Sequence, residues 1–195
     1  MPKDTFNNLS EDKKKKIFKA AVKEFSSKRF SEASINQIVK LAEIPRGSFY
    51  QYFQDKEDIY LYMIEKIAKE KRYITHHAEN LDRNADFFTL CIESTKATYE
   101  WAQHNPDYLK ISIYMEIDYS EFIIGLRKSI IEDFAKLIER DKERGYIKPE
   151  SDSYLIADMA YTLIWKQGTM YMADKEMFIR KISEGIKIIK EGIRR

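Results

Sequence analysis

Across most of this chain the apolar residues return every third or fourth position, and no strand pattern of period two is read from it. A period near 3.6 belongs to helices that bury one face, and a period of two belongs to strands. Only six glycines and four prolines interrupt the 195 residues. Little therefore stops a helix once it has started. The expected fold class is all-α, built from long helices.

Near the N-terminus, Ile17, Ala21 and Phe25 recur at intervals of four, with Phe18 and Val22 beside them. This predicts a helix over 10–28, with Ser10 at its N-cap and Glu11 and Asp12 in its first turn. The run SINQ reads as a capping box, with Ser34 as cap and Gln37 reaching back. Ile35, Ile38, Val39 and Ala42 give the second helix its apolar face, and it ends near Glu43. Pro45 suits the first turn of a third helix, over 45–53. Asp55 caps a fourth, which continues through Ile59, Met63 and Ile67 towards His76. Five more helices are predicted over 84–104, 106–116, 120–144, 152–173 and 174–192, with Gly145 as a C-terminal stop. The border between two bodies is expected inside the fourth helix, near Glu70.

The segment IPRGSFYQYFQDKEDIY crowds four aromatics into five positions. On a helix over 45–53, Phe49 and Phe53 share one face and continue the core stripe of the preceding helices. Arg46 and Tyr50 share another face, and so do Ser48 and Tyr52, so these four are expected to point outward. Three short helices with a tight turn before the third match a helix-turn-helix, whose last helix enters the DNA major groove. Arg46 is suited to guanine edges or phosphate. Gly47 lets the backbone come close to a duplex. Tyr50 and Tyr52 could donate to phosphate oxygens, and Lys56 adds a cation at the next helix start.

At this point the residues resemble a known family. SINQIVKLAEIPRGSFYQYFQDKEDIY is similar to the DNA-binding segment of TetR-type transcriptional regulators, matching at Ser34, Ile38, Arg46, Gly47, Ser48, Phe49, Tyr50, Tyr52, Phe53, Lys56 and Glu57. The detailed resemblance spans about 17–60. It implies a helix-turn-helix DNA-binding domain over 1–56 and a helical effector-binding and dimerisation domain over 57–195. It also implies DNA contacts from Ser34, Arg46, Gly47, Ser48, Tyr50, Tyr52 and Lys56, with Gln37 adding a base or phosphate contact. The implied protein is a homodimeric repressor of a palindromic double-stranded DNA operator, released by a small, largely apolar effector. Two positions depart from the family pattern, which has glycine where this chain has Lys28-Arg29 and Glu43. A left-handed backbone at either costs on the order of 1 kcal/mol without glycine.

For the larger helical part, Tyr99, Tyr114, Phe122 and Trp165 are candidate effector contacts. Phe178, Ile182, Gly185 and Ile189 form a narrow apolar seam on the last helix. With Gly168 on the helix before it, that seam suggests a four-helix dimer interface, the alternative being packing within the chain.

Net charge is only +2, so any nucleic-acid signal must be local. The run Lys13–Lys16 is either a solvated face or a phosphate contact. One cysteine, Cys91, forms no internal disulfide and has no histidine nearby in sequence. His76 and His77 are adjacent, not four apart as a helical metal pair requires, and His104 stands alone. No phosphate loop or dinucleotide-binding glycine motif occurs. No enzyme and no cofactor are therefore expected. Without a signal-like or membrane-length apolar run, the expectation is a cytoplasmic protein with no membrane partner. The competing reading is a helical small-molecule-binding or protein-interaction module with a degenerate helix-turn-helix.

Overall fold

The computed structural model describes residues 2–78, 84–171 and 173–193, and its described residues are helical with no strand. The elements are α1 (Asp4–Asn7), α2 (Glu11–Phe25), α3 (Ile35–Ala42), α4 (Arg46–Tyr52), α5 (Lys56–Ala78), α6 (Phe87–Gln103), α7 (Pro106–Ile117), α8 (Glu121–Glu143), α9 (Ser153–Tyr171) and α10 (Lys175–Ile193), with a 3-10 turn at Phe30–Glu32. The chain packs as two compact units. One holds the residues up to Arg72 together with Asn105–Ile124, and the other holds Tyr73–His104 and Gly125–Arg195.

In the first unit, α2 buries Ile17, Phe18, Ala21, Val22 and Phe25, the stripe its periodicity requires. Phe49, Phe53, Ile59 and Met63 close the same core. The rings form a continuous network: Phe25 and Phe30 meet Tyr60 edge-on at 4.8 and 5.1 Å, and Phe30 meets Phe122 tilted at 4.6 Å. Such contacts add specificity to area burial.

Helix starts sort by cap residue. Asp55, Asp86, Asp152 and Asp174 each accept a backbone N–H of the first turn at about 3 Å. Ser10 and Ser34 occupy N-cap positions without a side-chain cap bond. The capping box expected of Ser34 and Gln37 is therefore not formed. Instead the buried Glu24 carboxylate accepts the Ser34 N–H at 2.9 Å and pairs with Lys28 at 3.3 Å.

Of the two turns that lack the family's glycine, one is strained. Glu43 ends α3 in the left-handed region, φ 52° and ψ 45°. Arg29 has φ −62° and needs no glycine. The bonds from Ile44 N–H to Val39 and from Glu43 N–H to Lys40 make the helix stop that glycine usually occupies.

In the second unit, α6, α8, α9 and α10 surround Phe87, Tyr99, Ile138, Ala157, Ala160, Phe178 and Ile182. The fully buried Asp141 carboxylate accepts the Phe87 N–H at 2.6 Å and pairs with Arg140 and Arg144. Gly145, at φ 75°, ends α8 as predicted. The seam on α10 faces inward. Phe178 stacks on Tyr99 at 5.2 Å, a Cβ at Gly168 would touch Phe178 at 3.7 Å, and one at Gly185 would meet Leu163 at 2.5 Å. Ile182 is buried and Ile189 packs against the same cluster. These five residues join α6, α9 and α10 of one chain, with Gly168, Phe178 and Ile182 buried and Gly185 and Ile189 partly exposed.

Candidate nucleic-acid interface

The helix-turn-helix is α3, the Glu43 turn and α4. Only seven residues long, α4 takes its orientation from what it buries. Phe49 and Phe53 are 0% exposed and fix its inner face. Tyr52, expected to point outward, is 6% exposed, with its ring edge-on to Phe6 at 6.1 Å. Positions 49, 52 and 53 stand at i, i+3 and i+4, the triplet that shares one helix face, so Tyr52 goes with the phenylalanines.

What remains outside is consistent. Tyr50 is 42% exposed. Arg46 is exposed and has no hydrogen-bond or ion-pair partner among the described residues. A Cβ at Gly47 would meet nothing within 4 Å. No internal contact requires glycine there, and glycine costs a helix roughly 0.5–1 kcal/mol against alanine. Ser48, Ser34 and Gln37 are half-buried beside this face. The first turn of α4 carries no side-chain cap, and Pro45 occupies its N-cap. An uncapped helix start with a free guanidinium, a free phenol and bare backbone offers donors to anions and to groove edges.

Lys56 is used differently from a free cation. Its ammonium donates to the carbonyls of Phe30 at 2.7 Å and Ala33 at 3.0 Å and lies 4.5 Å from the Phe30 ring. Burial holds its pKa below the usual lysine value, against the pull of Asp118, Glu24 and Glu57. On the other side of the same loop, the Asp118 carboxylate accepts the N–H of Ser31 at 2.7 Å and of Ser120 at 2.8 Å. Burial opposes its ionisation, but those bonds prevail and hold it at about 2. In the lysine run, Lys14 pairs with Glu11 and Lys16 with Glu43, and Lys13 lies over the Tyr52 ring at 5.7 Å. Lys15 is exposed.

The aromatics expected as effector contacts fall in both units. Tyr114 and Phe122 belong to the first unit, and Phe122 is committed to the Phe30–Tyr60 cluster. Tyr99 and Trp165 belong to the second, Tyr99 against Phe178 and Trp165 6.1 Å from Tyr161. Burial and the Asp86 charge push the Cys91 thiol up to about 12, so it holds no thiolate near neutral pH. No group of three potential metal ligands occurs among the described residues, and the side chains of His76 and His77 lie outside them.

Sequence reasoning missed α1. The ammonium of Lys3 donates to the Tyr50 carbonyl at 2.8 Å, its backbone N–H donates to the Tyr52 carbonyl at 2.8 Å, and the Thr5 hydroxyl donates to the Gln51 carbonyl. The one available signal was Phe6, a lone aromatic in a polar stretch.

Comparison with known proteins agrees with this geometry. Residues 17–63 match the family model of bacterial regulatory proteins, tetR family. The chain is 25% identical over 155 residues to the HTH-type transcriptional regulator YdgC of Bacillus subtilis (strain 168), covering 78% of this chain and 77% of that one. Among solved structures, a TetR family transcriptional regulator from Chloroflexus aurantiacus J-10-fl superposes with a TM-score of 0.67 at 25% identity, over 100% of this chain and 99% of that one. FadR from Bacillus subtilis, in complex with stearoyl-CoA, shares the fold with a TM-score of 0.65 at 17% identity, over 92% and 99% of the two chains.

Proposed function

The chain belongs to the TetR family of DNA-binding transcriptional regulators, and from that premise we propose a homodimeric repressor that reads a palindromic operator and is released by a small, largely apolar effector. The exposed face of α4 carries this reading: a guanidinium without an internal partner, a glycine that no internal contact requires, and an accessible phenol, all backed by fully buried phenylalanines. Arg46 meets base edges, and Gly47, Ser48 and Tyr50 meet phosphates, with Ser34 and Gln37 beside them. Tyr52 and Lys56 hold the domain's shape around that face. The DNA-binding role is assigned to residues 1–56, and effector binding and dimerisation to 57–195.

Two copies must present their α4 helices about 34–36 Å apart to meet one face of a duplex. The inward-facing α10 seam leaves the outer stripe of α9, Leu155, Met159 and Met170, with Ile188 of α10 (72% exposed), as the surface a second copy covers. An effector that favours a different spacing lowers DNA affinity by its differential affinity for the two states. FadR of the same fold holds an acyl-CoA, which supports an effector with a long apolar part. The proposed repressor acts in the cytoplasm and performs no catalysis. No described helix is long and apolar enough to cross a membrane.

The test is selection of operator DNA from random sequence, followed by mobility shifts against operator and scrambled duplexes at matched salt. Tyr50→Phe should weaken both. Arg46→Ala should also narrow the gap between them, by ~1–3 kcal/mol. Parent-like binding by both variants would leave the chain a helical small-molecule-binding or interaction module.

A further inference from the structure

A helix leaves its last four carbonyls without partners inside the helix. In α4 those belong to Phe49, Tyr50, Gln51 and Tyr52. The Phe49 carbonyl accepts from Phe53 N–H at 2.8 Å, a bond local to the helix end. The other three are met from the opposite end of the domain's sequence. Lys3 Nζ donates to Tyr50, Thr5 Oγ1 to Gln51, and the Lys3 backbone N–H to Tyr52. No glycine ends this helix. Phe53 follows in extended conformation, φ −131° and ψ 150°, so the usual left-handed stop is absent.

The donors are held in place by packing. Phe6 is 2% exposed, with its ring 4.9 Å from both Phe53 and Tyr62. It plugs α1 into the core on which α4 rests. Lys3 also brings a positive charge to the negative end of the α4 dipole. A helix of seven residues is marginal alone, so its axis is set by its two ends and its buried face.

We propose that Lys3, Thr5 and Phe6 form a strap that caps the C-terminal end of α4 and fixes its aim, making them positioning residues for DNA recognition. This rests on α4 being the reading helix. The strap touches the same residues, Tyr50 to Tyr52, whose outer neighbours face the duplex. Loosening it lets the last turn fray and swings Tyr50 away from its phosphate, while the charge offered to DNA at large stays the same.

The deciding substitution is Thr5→Val, which keeps size and removes only the donor. Operator affinity should drop about five- to tenfold, the weight of one lost cap. Affinity for scrambled DNA and the salt slope should match the parent, and Thr5→Ser should restore operator binding. Amide exchange in residues 50–53 should quicken in Thr5→Val. Phe6→Leu is the companion variant, expected to weaken operator binding while leaving a folded, helical protein. Lys3→Met separates capping from direct contact, because a lost phosphate contact lowers the salt slope by about one and weakens both DNAs alike. Parent-like operator binding by Thr5→Val, or equal losses on both DNAs with a reduced slope in Lys3→Met, overturns the proposal. Arg46→Ala, measured alongside, keeps the readings apart. If it loses operator preference while the strap variants do not, only the strap is wrong. If it binds like the parent, the assignment of α4 is wrong.

Discussion

The Asp118 carboxylate accepts the backbone N–H of Ser31 at 2.7 Å across 87 residues of sequence. Ser31 sits in the 3-10 turn ahead of α3, and Asp118 directly follows α7. The loop that sets the angle between α2 and α3 is thus fastened from outside the helix-turn-helix itself.

The hydrogen bonds this carboxylate accepts from Ser120 and Ser31, prevailing over burial, set a pH dependence. The Asp118 pKa lies at about 2, below its ordinary 3.8. A lowered pKa in the folded state contributes stability that is complete above the unfolded value and fades as pH falls through the folded one. Parent protein should lose stability between about pH 4 and pH 2. Asp118→Asn should be less stable at pH 7 and show a flatter curve over that acid range, measured by urea unfolding at each pH. A parallel displacement of the two curves would exclude this role for Asp118.

Lys56→Met leaves the part-buried Ala33 carbonyl without this donor, while the Phe30 carbonyl keeps the Ala33 N–H at 3.2 Å. Each unsatisfied buried group costs ~1–3 kcal/mol, so equilibrium unfolding should show a loss of that order. The salt slope of DNA binding should stay at the parent value, because this ammonium is already engaged within the protein. A slope lowered by about one would make Lys56 a phosphate contact after all.

Gly47→Ala separates stability from function. A Cβ there meets nothing, and alanine favours the helix by roughly 0.5–1 kcal/mol. Thermal unfolding should therefore move upward while operator affinity falls, as the added methyl blocks close approach of the backbone. A variant both more stable and equally tight would mean that the duplex does not come near this turn.

Glu43→Gly removes left-handed strain of on the order of 1 kcal/mol. It also loses the exposed ion pair with Lys16, worth ~0–1 kcal/mol. The net change should be a small gain in stability. Lys16→Met isolates the ion pair and should change little; a loss as large as the gain from glycine would reverse this ranking of the two effects.

At Gly185 a Cβ would stand 2.5 Å from Leu163 Cδ2. Gly185→Ala should cost ~1–3 kcal/mol by overpacking, and Leu163→Ala in the same chain should recover part of it. Sedimentation of the folded variant should show an unchanged assembly state, since this contact lies within one chain. Dissociation to monomer without loss of stability would return Gly185 to the interface between copies.

Much of this molecule was legible in the sequence because most of its elements are long helices. Their periodicity, the Asp55 cap and Gly145 placed boundaries within a few residues. Phe49 and Phe53 were read inward and Arg46 and Tyr50 outward from spacing alone. Two of the departures share a cause, which is partners outside the local pattern. Ser34 and Gln37 satisfy the local capping pattern, yet Glu24 from the previous helix takes the N–H. The α10 periodicity identifies a buried face, but no pattern within one helix says whether its own chain or another copy buries it. Tyr52 was misplaced for a different reason: pairing by four ignored its place three residues after Phe49. A four-residue helix such as α1 is too short to show any period at all.

The strap across the end of α4 bears on how this protein should be handled at the bench. A tag fused close to Lys3 would pull on the threads proposed to orient α4, and a poor fit there would be misread as weak operator affinity. Purification handles belong far from Lys3, or must be cleaved cleanly before binding is measured.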